Sequence, residues 1–129
     1  MNNKLNYPSF GSSGIRMYNK NKVTIKPGEF KALDSGEKLN IYNNLCGIVF
    51  LHSLLFEKGL VGHTGVLDSD YKGNIFFYVR NVTNKPVIID EGDILGQVVV
   101  TEIHKLYYVD VKNGKRSGEF NRVVDGDDK

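Results

Sequence analysis

Hydrophobic and polar residues alternate over short segments of the chain, a pattern typical of half-buried β-strands. Turn-forming dipeptides such as Pro27-Gly28 and Asn43-Asn44 separate these segments. One segment, residues 45–51, is continuously apolar, which indicates a strand buried on both faces. The spacing predicts an all-β sandwich or barrel. The predicted strands are residues 23–26, 38–42, 45–51, 75–79, 86–89, 98–103 and 106–111.

One short helix is predicted at residues 53–58, with Gly59 in the C-terminal capping position. Both ends of the chain are polar and lack periodic patterning. We therefore expect a mobile N-terminal arm over residues 1–13, one β domain over residues 14–112 and a flexible C-terminal tail over residues 113–129.

The composition excludes several classes of protein. The chain has 129 residues, 40% of them hydrophobic and 25% charged, which is ordinary for one globular domain. A net charge of +2 gives no indication of a nucleic-acid partner or an anionic membrane surface. No apolar run approaches the roughly 20 residues of a membrane span, and no signal-peptide core is present, so a cytoplasmic location is expected. Cys46 is the only cysteine and is interpreted as a small buried hydrophobe.

Residues 65–74 carry the strongest chemical signal in the chain. Their sequence, Gly-Val-Leu-Asp-Ser-Asp-Tyr-Lys-Gly-Asn, concentrates two acids and a tyrosine between two apolar segments. Gly65 and Gly73 are expected to provide the backbone reversals of a hairpin. From composition alone, the segment is either an inert polar hairpin tip or part of a binding site.

This segment resembles the third motif of the trimeric dUTPases, commonly G-[VI]-I-D-x-D-Y-R-G-[EN]. Residues 91–98, Glu-Gly-Asp-Ile-Leu-Gly-Gln-Val, resemble the fourth motif of that family, x-G-D-R-I-A-Q-L. Residues 23–29 are similar to the strand that precedes the second motif. The resemblance extends from about residue 14 to residue 111. It implies a β-clip, a distorted jelly roll, that assembles as a homotrimer and binds a deoxyuridine-type nucleotide.

The resemblance also implies a role for each matched residue. Asp68 would be the general base that orients a water molecule toward the α-phosphate. Tyr71 would pack against the deoxyribose and exclude a 2′-hydroxyl, while the backbone of about residues 62–66 would read the uracil edge. Backbone N–H groups at the start of the predicted helix would cradle phosphate oxygens. The nucleotide-binding residues so implied are Ser53, Gly65, Val66, Asp70, Tyr71, Gln97, Arg116 and Phe120.

The first two motifs of the family are altered in this chain. The first, D-A-G-Y-D-L, corresponds to residues 12–17, where Ser12 and Arg16 replace the two acids. Arg16 could contact phosphate but would repel a cation, so any Mg²⁺ would enter only with the nucleotide triphosphate and no protein metal ligand is predicted. The second, P-R-S-[SG]-L, corresponds to residues 51–55, where His52 replaces the phosphate-binding arginine.

The fifth motif, R-G-x-x-G-F-G-S-T-G, is reduced to residues 115–121. Arg116 could still reach phosphate and Phe120 could still cap a base, but an ordinary charged tail also fits the sequence. The related dCTP deaminases carry a catalytic glutamate on the strand after the hairpin. Tyr78 occupies that position here, which argues against deamination.

Two functions remain open at this point. The chain is either a dUTPase-like protein that binds a pyrimidine deoxynucleotide, with weak or lost hydrolysis to dUMP and pyrophosphate, or a non-enzymatic protein of the same fold. A non-enzymatic protein could sequester a nucleotide, regulate a protein partner or serve a viral structural role.

Overall fold

The computed structural model describes residues 7–107, which form nine β-strands and one short helix. All of the strand pairs are antiparallel. The elements are β1 (Gly14–Tyr18), β2 (Val23–Ile25), β3 (Phe30–Asp34), β4 (Leu45–Leu51), α1 (Ser53–Glu57), β5 (Leu60–Gly62), β6 (Gly65–Leu67), β7 (Phe76–Asn81), β8 (Val87–Ile89) and β9 (Ile94–Glu102).

Three sheets enclose one hydrophobic core. A four-stranded sheet has the order β1-β9-β4-β6, a three-stranded sheet has the order β3-β7-β5, and β2 pairs with β8. Because side chains alternate along a strand, every second residue points inward. Met17 and Val98 from the larger sheet and Leu33 and Phe77 from the three-stranded sheet belong to the same buried cluster. The predicted all-β class is therefore confirmed for the described residues.

Most of the predicted elements are present, with ends shifted by a few residues. The predicted helix is α1, and Gly59 follows it with a φ of 96°, as its capping position requires. The strand predicted at residues 38–42 is wrong, because this segment pairs with no strand among the described residues. Its alternation reflects the burial of Ile41 and the partial burial of Leu39 against the core. Strands β1 and β3 were not predicted, and most of residues 106–111 lie outside the described residues.

The expectation that β4 is buried on both faces is wrong for the single chain, and β7 likewise has one outward face. Phe77 and Val79 of β7 are buried, but Tyr78 between them is 48% exposed. In β4, Val49 is buried whereas Phe50 is 38% exposed. Each strand thus packs one face into the core and presents the other outward. The boundaries of the predicted arm and tail, at residues 13 and 113, stay predictions.

Asn81 connects the end of β7 to its surroundings through a buried hydrogen-bond network. Its Nδ2 donates to the carbonyl oxygens of Ile25 at 2.9 Å and Lys85 at 2.8 Å. Its Oδ1 accepts from the backbone N–H of Thr83 at 2.9 Å and from the Thr83 hydroxyl at 2.7 Å. The side chain is fully buried, and its polar atoms all have partners. It therefore fixes the end of β7 relative to β2 and to the turn before β8.

We expect Asn81→Ala to lower the free energy of unfolding by about 2–3 kcal/mol, because it leaves buried backbone groups without partners. Urea denaturation followed by circular dichroism measures this change. Asn84→Ala, at an exposed position of the same turn, is the control and should shift the value by less than about 0.5 kcal/mol. Equal effects of the two substitutions would contradict the prediction.

Candidate functional site

A cleft of about 330 Å³ lies between β6 with its following turn on one side and the start of β7 on the other. Four of the residues predicted from the sequence, Gly65, Val66, Asp68 and Tyr71, line it together. The described structure thus brings together the predicted base and the predicted sugar contact. The remaining lining residues are Val49, His63, Leu67, Asn74, Phe76 and Tyr78.

Asp68 and Tyr71 stand at the two ends of one β-turn. The backbone N–H of Tyr71 donates to the carbonyl oxygen of Asp68 at 3.0 Å, which closes the turn. The Asp68 side chain is exposed, and its carboxylate has no hydrogen-bond or ion-pair partner among residues 7–107. It can therefore accept a proton from water in the cleft. Asp70, in the same turn, is exposed and does not line the cleft.

A hydrogen bond from its hydroxyl holds the ring of Tyr71 at the cleft, and Gly73 leaves the space that the ring occupies. The hydroxyl donates to the carbonyl oxygen of Asn74 at 2.5 Å. A Cβ atom on Gly73 would lie 2.7 Å from the Tyr71 hydroxyl oxygen, so only glycine leaves room for the ring in this position. Gly73 lies at a bend and Gly65 lies within β6, and neither has a positive φ, so neither position requires the left-handed backbone that favours glycine.

The predicted hairpin is also not a two-stranded ladder. β6 pairs with β4, with Val49 opposite Gly65, whereas β5 pairs with β7 in the other sheet. The chain therefore crosses from one sheet to the other through His63 and Thr64. Gly62 allows this crossing, because a Cβ there would collide with the carbonyl oxygen of Tyr78. The consequence is that β6 forms the edge of the four-stranded sheet, beside the cleft.

An aromatic wall that sequence reasoning missed closes one side of the cleft. The His63 ring stacks on the Tyr78 ring, with centroids 5.5 Å apart and planes 13° apart. Phe76 lies next to Tyr78, with ring centroids 6.3 Å apart. The alternation of residues 75–81 already places Phe76 and Tyr78 on one face of a strand, and that signal could have identified them. The contribution of His63 depends on the crossing between sheets, which the sequence pattern does not reveal.

Gln97 lies on β9, away from the cleft. It is opposite Arg16 on β1 and Phe50 on β4, so these three residues share one face of the four-stranded sheet. The side chain of Gln97 lies over Gly14, where a Cβ would come within 2.6 Å of the Gln97 Oε1. Val49, which lines the cleft, faces the opposite side of the sheet. A single chain therefore does not bring Gln97 into the cleft.

Ser53 begins α1 and is exposed, outside the cleft. His52 is the N-cap of this helix: its Nδ1 accepts a hydrogen bond from the backbone N–H of Leu54 at 3.1 Å. The backbone N–H of Leu55 donates to the carbonyl oxygen of His52 at 3.0 Å. Two of the N–H donors that were expected to cradle phosphate are thus already used within the helix.

Arg116 and Phe120 lie outside the described residues. Within residues 7–107, no group of three or more His, Cys, Asp or Glu side chains is arranged to hold a metal ion. In the same range, no helix has the length and apolar character needed to cross a membrane.

Comparisons with known proteins show the family of the chain. The family model described as dUTPase matches residues 3–124. The deoxyuridine 5′-triphosphate nucleotidohydrolase of Baumannia cicadellinicola is 30% identical over 121 residues, covering 90% of this chain and 81% of that protein. The corresponding protein of Caldanaerobacter subterraneus is 28% identical over 121 residues, covering 90% of this chain and 82% of its own length.

Solved structures give the same result for the fold. The dUTPase from phage phi11 of S. aureus superposes with a TM-score of 0.78 at 19% identity, covering 87% of this chain and 90% of that chain. The fold is therefore the predicted β-clip, with the aromatic-walled cleft at the edge of its four-stranded sheet. The chain belongs to the dUTPase family.

Proposed function

We propose that the protein binds a dUTP-type nucleotide in the cleft beside β6 and hydrolyses it slowly, if at all, to dUMP and pyrophosphate. The observation that supports this most directly is that Asp68 and Tyr71 line one cleft with Gly65 and Val66. The names of the relatives, which describe deoxyuridine 5′-triphosphate nucleotidohydrolases, support the same ligand.

The chemistry of the cleft suits a pyrimidine deoxynucleotide. β6 lies at the edge of its sheet, so part of its backbone N–H and C=O groups pair with no strand of residues 7–107, and these groups can hydrogen-bond the edge of a uracil base. Tyr71 would lie against the deoxyribose and leave no room for a 2′-hydroxyl. Asp68 would accept a proton from the water that attacks the α-phosphate. The stacked rings of His63 and Tyr78 would form the wall of the cleft against which the base lies.

The proposed site is incomplete within one chain, and we propose a homotrimer in which a neighbouring copy completes it. Gln97 and Ser53 lie outside the cleft that holds Asp68. The outer face of the three-stranded sheet also exposes apolar surface, with Phe30 72% and Val61 38% exposed. Association would cover this face and bring phosphate-binding groups of one copy to the cleft of the next.

Multi-angle light scattering should therefore give three times the chain mass of 14.5 kDa. Apolar surface and the divided site are the physical reasons for this expectation. Sedimentation velocity at several micromolar concentrations is the independent check. A stable monomer at micromolar concentration would rule out a shared site.

The altered motifs are the reason for proposing weak hydrolysis. Enzymes that cleave phosphoanhydrides neutralise the charge on the triphosphate with metal ions and arginine side chains. Ser12 and Arg16 stand where the family has acids, and His52 uses its Nδ1 as a helix cap instead of gripping phosphate. Mg²⁺ would accordingly arrive with the nucleotide. Arg16, and Arg116 of the C-terminal tail, would offset part of the deficit by contacting phosphate.

The same observation favours a second candidate function, a nucleotide-binding protein without turnover. Such a protein would keep the contacts that Tyr71 and β6 make with the nucleoside and lose those that stabilise the transition state. It could sequester the nucleotide or signal its presence to a protein partner. Binding without pyrophosphate release separates this candidate from the first.

Calorimetric titration with the α,β-imido analogue of dUTP tests the proposal, followed by pyrophosphate release from dUTP with Mg²⁺. We expect saturable binding of the deoxyuridine analogue and weaker binding of its ribose counterpart. Tyr71→Ala should weaken binding of the deoxy form by roughly tenfold or more, because it removes apolar contact area. Tyr42→Ala, at an exposed position away from the cleft, is the control and should leave binding unchanged. A wild-type protein that binds no uracil or thymine nucleotide would refute both candidates.

A further inference from the structure

We infer that Asp34 is a positioning residue of the nucleotide site, acting through Asn74 to hold the ring of Tyr71. The inference rests on the function proposed above. It assigns to Asp34, which lies outside every motif discussed so far, a part in discriminating deoxyribose from ribose.

A continuous series of hydrogen bonds connects Asp34 to the cleft. The Nδ2 of Asn74 lies 3.1 Å from Oδ1 and 3.2 Å from Oδ2 of Asp34 and donates to the carboxylate. The backbone carbonyl oxygen of the same Asn74 accepts the hydroxyl hydrogen of Tyr71. Asn74 therefore receives one hydrogen bond from the ring that lines the cleft and gives another to a carboxylate outside it.

The carboxylate of Asp34 is itself held in place by the turn that follows β3. Its Oδ1 accepts the backbone N–H of Gly36 at 2.8 Å, and Gly36 has a φ of 73°, which favours glycine. Ser35, which is 7% exposed, donates to the carbonyl oxygen of Ile75 through its hydroxyl at 2.7 Å and its N–H at 3.1 Å. The turn is thus fastened to the residue next to Asn74.

Tyr71 needs this support because little else restrains its ring. The side chain is 41% exposed, and Gly73 beneath it has no side chain that could pack against the ring. A hydrogen bond that involves an ionised group is roughly twice as strong as a neutral one, so the carboxylate is an effective anchor for Asn74. When Asn74 is fixed, its carbonyl keeps the ring in one rotamer against the sugar. A ring free to change rotamer would leave room for a 2′-hydroxyl.

The test measures the ratio of the dissociation constants for the α,β-imido analogues of UTP and dUTP. Asp34→Ala and Asn74→Ala should each reduce this preference for the deoxy form by about three- to tenfold, the effect of losing one hydrogen bond. Ser35→Ala is the matched control, since it weakens the same turn and leaves the Asp34–Asn74 pair intact. It should lower the melting temperature without changing the ratio.

A double variant provides the rescue. Asn74→Asp alone places two carboxylates side by side, and their repulsion should lower the ratio of the UTP-analogue to the dUTP-analogue dissociation constant. Combining it with Asp34→Asn exchanges donor and acceptor, and the backbone N–H of Gly36 keeps its oxygen acceptor, so the preference should return toward the wild-type value. Gly73→Ala displaces the Tyr71 ring directly, because the added Cβ would occupy the space of the ring. Its ratio of dissociation constants is the reference for a protein in which the ring is no longer held in place.

The outcomes separate the two proposals. A wild-type protein that prefers the deoxy analogue, together with an unchanged ratio in Asn74→Ala and Asp34→Ala, would overturn the role of Asp34 and leave the proposed function standing. A ratio that falls equally in Ser35→Ala would assign the effect to the turn as a whole and overturn the role as well. A wild-type protein that binds neither analogue would overturn the proposed function and the inference with it.

Discussion

Asp68→Asn is expected to reduce pyrophosphate release from dUTP by about 10²–10⁴-fold, the usual contribution of a general base. The amide has the shape of the carboxylate but cannot accept a proton from water. Because the Asp68 carboxylate has no partner among residues 7–107, the substitution breaks no hydrogen bond or ion pair in the described part of the chain. Single-turnover measurements with excess protein detect residual hydrolysis even when the wild-type rate is low.

Two further measurements make this result specific. Binding of the α,β-imido analogue should change by less than roughly tenfold, because the residues proposed to contact base and sugar stay in place. Glu102→Gln, an exposed carboxylate at the end of β9, is the control and should hydrolyse dUTP at the wild-type rate. Full hydrolysis by Asp68→Asn would show that another group activates the water.

Wild-type turnover of dUTP is expected to be orders of magnitude slower than that of a relative with intact first and second motifs. Loss of one electrostatic contact to a developing charge costs about 2.7–4 kcal/mol, or about 10²–10³ in rate. Ser12, Arg16 and His52 account for up to three such losses. The rate should also depend only weakly on Mg²⁺, which a comparison of kcat in excess Mg²⁺ and in chelator measures. Rapid and strongly Mg²⁺-dependent turnover would contradict this expectation.

Restoring an arginine at position 52 tests the reason for the slow rate. His52→Arg should raise turnover, because it supplies a bidentate phosphate contact. It should also lower the free energy of unfolding by about 1 kcal/mol, because it removes the N-cap of α1. His52→Asn keeps a capping side chain without the charge and is the matched control. It should retain stability and leave turnover unchanged.

The sequence predicts local features of this protein better than pairings between distant strands. Turn dipeptides, the cap at Gly59 and the bounds of strand β4 depend on neighbouring residues, and all are present as predicted. The pairing of β5 with β7 and of β6 with β4 depends on contacts between residues far apart in the chain. No local pattern specifies those contacts, so the segment was predicted as a hairpin.

In the candidate site, too, the sequence identifies residues of a local motif but not those that depend on distant strand pairings. Motif resemblance identified Asp68 and Tyr71, and the structure brings both to one cleft. It could not identify His63, whose ring reaches the cleft because the chain crosses between sheets at that point. It also could not explain Gly73, where the requirement is space for a ring and not a backbone angle.

The position of β6 at the edge of its sheet has a consequence for how a protein of this kind diverges. Groups that read a base through the main chain are the same whichever side chains the strand carries, so point mutations seldom remove them. Groups that grip phosphate or position a metal ion are side chains, and a single substitution removes each one. Under the proposed function, base recognition through β6 would therefore be mutationally robust, whereas catalysis would be fragile. Under the proposed function, genetic drift would abolish hydrolysis long before it abolished the preference for uracil.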